Sequence, residues 1–206
     1  MIGYYNYTVI LTYVGMLFGF AGITYVGSGN LKMALICLLM AGLCDMFDGK
    51  VASTRERTKQ EKRFGVQIDS LSDLICFGVL PAVIVVRCSN GKMPAVVISA
   101  VYVLCALIRL AWFNVDEEEQ QDVEETGRKV YLGLPVTTSA ILVPAFVGGT
   151  HLLNLPLDKL FPWLLALIAV AFVAPFHLRK PNTVGKLLMM LCGAATLALV
   201  LIGVRG

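Results

Sequence analysis

The sequence predicts an all-α protein, a polytopic integral-membrane helical bundle with six core spans and a seventh apolar segment. Three observations predict it. Of 206 residues, 57% are hydrophobic and the mean hydropathy is +0.76, above the roughly 45–50% apolar content of a soluble domain. The apolar residues fall into successive runs near the roughly 20 residues that cross a hydrocarbon layer. Most charged residues gather in the short stretches between those runs. Residues 1–206 read as one membrane-embedded domain, and no period of a repeat array is present.

Met1 to Tyr7 is tyrosine-rich and suits a membrane interface. It lacks the basic start and cleavage site of a removable leader, so the first apolar run is expected to stay in the membrane. That first span runs from Thr8 to Val26, with Gly15, Gly19 and Gly22 on one face where another helix could pack closely. Gly27 to Asn30 makes a turn into a second span, Leu31 to Val51. Ser53 to Phe64 reads as a basic loop. The third span is Gly65 to Val86 and the fourth Pro94 to Phe113, with Arg109 near its end. Asn114 to Arg128 is acidic and suits a solvated loop or surface helix. Leu132–Gly149, Leu160–Phe176 and Val184–Val204 complete the set.

Orientation follows from the cations. With the N-terminus inside, ten Lys and Arg fall in inner loops and five outside, the bias expected of cytoplasmic loops. The protein is therefore expected in a plasma (cytoplasmic) membrane, as of a prokaryote. Cys37, Cys44, Cys76, Cys88, Cys105 and Cys192 show no ligand spacing and read as reduced packing residues. A net charge of +3 gives no reason to expect a nucleic-acid partner.

The chemistry concentrates between Asp45 and Asp73. Asp45/Asp48 close the second span and Asp69/Asp73 open the third, both on the cytoplasmic side. Spacings of three and four put each pair on one helix face. A charge near the hydrocarbon layer costs roughly 2.5–3.5 kcal/mol on insertion scales, and four acids close together would repel. One pair alone could be a helix cap or a solvated ion pair. Two pairs with Gly49 and Gly65 nearby, and a basic loop between, point instead to a divalent-metal site that handles phosphates.

That stretch resembles the signature of the CDP-alcohol phosphotransferase family, D-x2-D-G-x2-A-R-x8-G-x3-D-x3-D. It stands here as Asp45, Asp48, Gly49, Ala52, Gly65, Asp69 and Asp73. Where the family has arginine after the alanine this chain has Ser53, and twelve residues rather than nine separate Ala52 from Gly65. The nearest basic candidate for the missing arginine is Arg55. Within the family, the run from Phe64 to Ala82 resembles the phosphatidylserine synthase branch. So do IRLAWFNV (Ile108 to Val115), YLGLP (Tyr131 to Pro135) and the basic stretch from Phe176. The chain departs at Thr137, where the branch often has proline. It departs again near the N-terminus, where Thr8, Thr12 and Gly15 stand in place of an asparagine-bearing pattern.

The resemblance implies metal-dependent transfer of a phosphatidyl group from CDP-diacylglycerol to L-serine, giving phosphatidylserine and CMP. It implies Asp45, Asp48, Asp69 and Asp73 as ligands of divalent metal (Mg²⁺ or Mn²⁺, two ions), with Asp73 also placed to accept the alcohol proton. Gly49, Ala52 and Gly65 would border the substrate, with Arg55 a phosphate contact and Arg109 a candidate for substrate charge. It also implies membrane lipid around the chain and a homodimer. The residues alone leave Arg109 open to a snorkelling role and Asn114 to a capping one. His151 and His177 have no obvious partners. Two other readings stand: a different acceptor, such as glycerol phosphate or inositol phosphate, or a cation transporter.

Overall fold

Helix starts are set by local chemistry. The computed structural model describes residues 3–123, 130–175, 177–179 and 183–204. Asn6 caps α1 (Tyr7–Gly27), accepting from the backbone N–H and the hydroxyl of Thr8. Asn30 caps α2 (Leu31–Ala52) through the N–H of Met33 at 3.0 Å. α3 (Lys59–Asp73) begins with a capping box: Glu61 N–H donates to Thr58 Oγ1 at 3.2 Å and Thr58 N–H to Glu61 Oε2 at 2.9 Å. This box corrects the expected boundary. The stretch from Lys59 to Phe64 is helical, and the loop shortens to Ser53–Thr58; the T-x-x-E pattern of Thr58 and Glu61 was the signal.

α3 runs through a π-helical segment, Leu74–Val79, into α4 (Leu80–Cys88), making one rod from Lys59 to Cys88. α5 (Met93–Val123) is a ten-residue extension of the fourth expected span. The acidic stretch from Asn114 thus starts as helix, of the two forms expected; residues 124–128 lie outside the described set. A short strand β1 (Val130–Leu132) pairs antiparallel with β2 (His177–Arg179), Tyr131 opposite Leu178. No sequence expectation foresaw this pairing; three residues per strand are too few for a period-2 signal. Phe176, Lys180 and Pro181 of the basic stretch lie outside the described residues. A 3₁₀ turn (Val136–Thr138) leads into α6 (Ser139–Leu152), followed by α7 (Leu157–Val173) and, after β2, α8 (Thr183–Gly203).

The described residues therefore form seven helical rods, the six core spans and the further apolar segment expected of a polytopic membrane bundle. Three are long and apolar enough to cross a membrane on their own account, Tyr7–Gly27, Lys59–Cys88 and Met93–Glu118. Side chains such as Leu35, Leu38, Phe77, Leu80, Tyr102, Phe161 and Leu165 fill the interior, while Phe20, Trp163, Leu167 and Ile202 face outward. An apolar exterior suits a lipid environment. The polar groups gather at the two ends. At one, Tyr4 bonds Gln60, Asn6 bonds Glu61 and Tyr7 bonds Thr54; at the other, Lys92 pairs with Asp158 at 2.9 Å.

The glycine face of α1 is used inside the chain. A Cβ on Gly15 would lie 3.3 Å from Cys44 Cβ, on Gly19 2.5 Å from Cys76 Sγ, and on Gly22 2.7 Å from Leu80 Cδ2. That face holds α2 on one side and the π segment and α4 on the other, so it is not the surface for a second copy of the chain. The backbone of Cys76 is itself only 3.3 Å from the Gly19 Cβ position, so a methyl there cannot be absorbed by one rotamer. Gly19→Ala is expected to lower stability by about 1–3 kcal/mol. Gly27→Ala, with nothing within 4 Å of its added Cβ, should be close to neutral. Thermal unfolding of the two purified variants in detergent checks the contrast.

Candidate functional site

The acid pairs come together at the end of the bundle that carries the N-terminus. α2 brings Asp45 and Asp48, one turn apart and facing α3; α3 brings Asp69 and Asp73, facing back. All four line one small, partly open cavity, with Leu11, Thr12 and Gly15 of α1 forming its wall, and Ala41, Ser72, Cys76 and Phe77 completing it. One carboxylate oxygen from each of Asp45, Asp48 and Asp69 lies within 4.8 Å of the others. Those three are half-buried and Asp73 is buried.

The local sequence explains the convergence. Gly15 lets Cys44 approach α1, which turns its neighbour Asp45 into the space between α2 and α3. Thr12 donates its hydroxyl to Asp48 Oδ2 at 3.2 Å. Ser72 donates to the carbonyl of Thr12 at 3.4 Å, and the Cys76 thiol to that of Gly15 at 3.4 Å. Asp73 is the last residue before the π segment, a distortion that recurs at functional sites. Pro81 has no N–H for Phe77 O, its α-helical acceptor four residues back. Tyr102 and Ser139 supply hydroxyls to that carbonyl instead, at 2.6 and 3.1 Å.

Charge decides what the cavity can hold. Two like charges 4.8 Å apart repel by about 3 kcal/mol at an effective dielectric near 20. With all three carboxylates ionised and no counter-charge, the three pairs together would approach the whole stability of an ordinary domain. Among the described residues, no Lys or Arg pairs with any of the four aspartates. Oxygen-only donors with no internal counter-charge fit a hard divalent cation such as Mg²⁺ or Mn²⁺.

The other expected residues surround this centre at varying distance. Gly49, on the exposed side of α2, has nothing within 4 Å of its Cβ position, and Ala52 is half-buried on the next turn. Gly65 stands one turn before Asp69 on α3, and the guanidinium of Arg57 lies 3.1 Å from its Cβ position. Arg55 is exposed and turned to Glu61 at 3.9 Å. Arg109 is buried on α5, its guanidinium 5.8 Å from the Phe113 ring and against Gly133. Gly133 needs to be glycine: its φ is +74°, and a Cβ would lie 2.9 Å from Phe172 O. None of Gly49, Ala52, Arg55, Gly65 or Arg109 lines the acid cavity. Asn114 accepts from Ser70 at 2.6 Å and donates to Gln67 at 3.2 Å, fastening α5 to the α3 turn beside Asp69. That contact answers its expected capping role with a cross-helix one.

A membrane helical bundle with a carboxylate cavity at one end is the class that fold and site define. The model of the CDP-alcohol phosphatidyltransferase family matches residues 5–174, and the chain belongs to that family. It is similar to a CDP-diacylglycerol–serine O-phosphatidyltransferase of Saccharomyces cerevisiae, 35% identical over 142 residues, 64% of this chain and 50% of the relative. A Helicobacter pylori protein of the same name is 29% identical over 184 residues, covering 86% and 73%. An archaetidylserine synthase of Methanothermobacter thermautotrophicus is 33% identical over 129 residues, covering 62% and 52%. The matched segment thus spans about half of the yeast and archaeal relatives and most of the bacterial one. No solved structure matches.

The site makes a direct prediction. Mn²⁺ at about 100 times its dissociation constant should stabilise the purified protein by about 2.7 kcal/mol, read as a rise in melting temperature. Asp45→Asn and Asp69→Asn should each lose most of that rise while still folding. A full rise in both variants would mean the metal binds elsewhere.

Proposed function

We propose that the chain transfers a phosphatidyl group from CDP-diacylglycerol to L-serine, yielding phosphatidylserine and CMP. The observation that carries this reading is the four-aspartate cavity at the membrane-boundary end of a bundle whose relatives are serine phosphatidyl- and archaetidyltransferases. Serine is common to the names of those relatives, whereas the lipid is not, so the acceptor is the better supported half. An acceptor such as glycerol phosphate or inositol phosphate would bring a second phosphate to a cavity whose described lining carries no cation.

Asp45, Asp48 and Asp69 would hold the divalent metal, with Asp73 beside them. Bound there, the metal supplies positive charge against the diphosphate as negative charge builds on the departing CMP. Gly49 leaves the exposed face of α2 open to the cytidine nucleotide, and the half-buried Ala52 continues that face. The diacylglycerol tails stay in the bilayer against the apolar exterior. Asp73 accepts the proton as the serine hydroxyl oxygen bonds the phosphatidyl phosphorus and the bond from that phosphorus to CMP breaks. A carboxylate is a weak base towards an alcohol, so position must supply much of the activation. What supports this role for Asp73 is its burial at the junction between α3 and the π segment. The buried cation Arg109 is offered to a substrate charge beyond the cavity, and the inner-loop cations favour a cytoplasmic opening.

In membranes containing the protein, CMP release should require L-serine together with Mg²⁺ or Mn²⁺, and should stop on chelation. Glycerol phosphate and inositol phosphate should neither replace serine nor compete with radiolabelled serine. Asp73→Asn should lower single-turnover release by about 10²–10⁴ while retaining binding of the nucleotide lipid. Serine-independent turnover, or near-normal chemistry in the asparagine variant, would overturn the acceptor or the base, respectively.

The loop arginines give a separate test. Sequence spacing nominates Arg55 for the phosphate contact, yet the half-buried Arg57 beside Gly65, one turn from Asp69, supports giving that contact to Arg57. Arg57→Ala should weaken CDP-diacylglycerol binding about ten- to hundredfold, the loss of one charge-assisted contact of roughly 1.5–3 kcal/mol. Arg55→Ala, already shared with Glu61, should do less. Equal small effects would return both to a general positive-inside role.

A further inference from the structure

α1 contributes no carboxylate, yet Thr12 touches both acid-bearing helices. Its hydroxyl reaches Asp48 of α2 at 3.2 Å, and its backbone carbonyl accepts from Ser72 of α3 at 3.4 Å. Thr12 and Ser72 are each about 8% exposed, so water does not replace these bonds freely. Thr12 also lines the acid cavity. The two contacts differ in kind. A helical carbonyl is present whatever side chain stands at position 12, so the Ser72 bond depends on where α1 lies. The Asp48 bond depends on the hydroxyl itself.

We infer that Thr12 is a positioning residue for the metal centre: its hydroxyl fixes the rotation of the Asp48 carboxylate, and so sets which oxygen Asp48 presents to the ion. This rests on the metal reading of the cavity and extends it to a residue outside the acid motif. The physical reason is simple. A carboxylate turns about its last bond with little resistance, and Asp48 is half-buried, with Thr12, Asp69 and the Gly49 backbone as its hydrogen-bonding neighbours. The Thr12 hydroxyl, committed to Oδ2, restricts the turns left to that carboxylate. Groups that orient metal ligands in this way are typically worth 10–100-fold in metal affinity. A hydroxyl is required, whereas the methyl of threonine is not.

The test measures metal binding without substrates. Mn²⁺ is titrated into the purified full-length chain in detergent, and free ion is followed by electron paramagnetic resonance alongside melting temperature. Thr12→Val keeps the shape and removes the hydroxyl; its dissociation constant for Mn²⁺ should rise about 10–100-fold. Thr12→Ser restores the hydroxyl and should bind within a few-fold of the unaltered chain. If the valine variant does not fold, Thr12→Ala compared with Thr12→Ser makes the same distinction. Unchanged affinity in the hydroxyl-free variant would overturn the inference, as would a serine variant as weak as valine. If the unaltered chain itself fails to bind Mn²⁺, the metal reading falls and the inference with it. Loss of binding in Asp48→Asn but not in Thr12→Val overturns the inference alone.

Discussion

The structure depends on how closely α1 can approach its neighbours. Thr12, Gly15, Gly19 and Gly22 recur at three- and four-residue intervals and form one narrow face. At Gly19 and Gly22 the neighbouring side chains stand where a Cβ would be, and at Gly15 the Cys44 Cβ is in contact range. In a bilayer there is little hydrophobic force between helices, so close contact and interhelical hydrogen bonds must supply the association. α1 has both: missing side chains, and carbonyls at Thr12 and Gly15 that accept from Ser72 and Cys76. The acid pairs meet because both their helices are drawn to this one face.

That explains a feature that charge alone would forbid. Four ionised carboxylates facing one cavity would push α2 and α3 apart. The attraction comes from elsewhere: from α1 on one side and, for α3, from the Asn114 contacts to Gln67 and Ser70 on the other. These contacts draw the two acid-bearing helices together from outside the acid motif.

Much of this was legible in the sequence. The spans followed from apolar run length, and the acid pairs from spacing that puts like residues on one helix face. Gly15, Gly19 and Gly22 announced a close helix contact. What periodicity could not say is which helix would fill it, because a small face fits a neighbour in the same chain as well as one in a second copy. The start of α3 was readable in Thr58 and Glu61 but was outweighed by the basic residues around them. The β1–β2 pairing left no sequence trace, since three residues per strand are too few to show alternation and the partners are nearly 50 positions apart. Thr12 stood in the sequence as a departure from a family pattern; only the coordinates put its hydroxyl on Asp48.

The π segment shows why fold and site are not separable here. An extra residue in one turn, between Asp73 and Pro81, changes the rotation of everything that follows relative to everything before. Before it, α3 must aim Asp69 and Asp73 at α2. After it, Leu80, Ile84 and Val85 must enter the core. A regular α-helix through the same thirty residues would have one rotation for both duties. The missing N–H of Pro81 leaves Phe77 O without its α-helical donor, and the chain answers with two buried hydroxyls, Tyr102 from α5 and Ser139 from α6. Those bonds tie the segment below Asp73 to α5 and α6, which contribute no residue to the aspartate cavity. Three distant parts of the chain therefore hold the backbone around Asp73, α1 through Ser72, α5 through Ser70 and Tyr102, and α6 through Ser139, while the adjoining π segment adds its geometry. Such agreement among independent contacts steadies the backbone that carries a buried acid, and for the base proposed above a misplacement of about 1 Å would cost on the order of 10²-fold in rate.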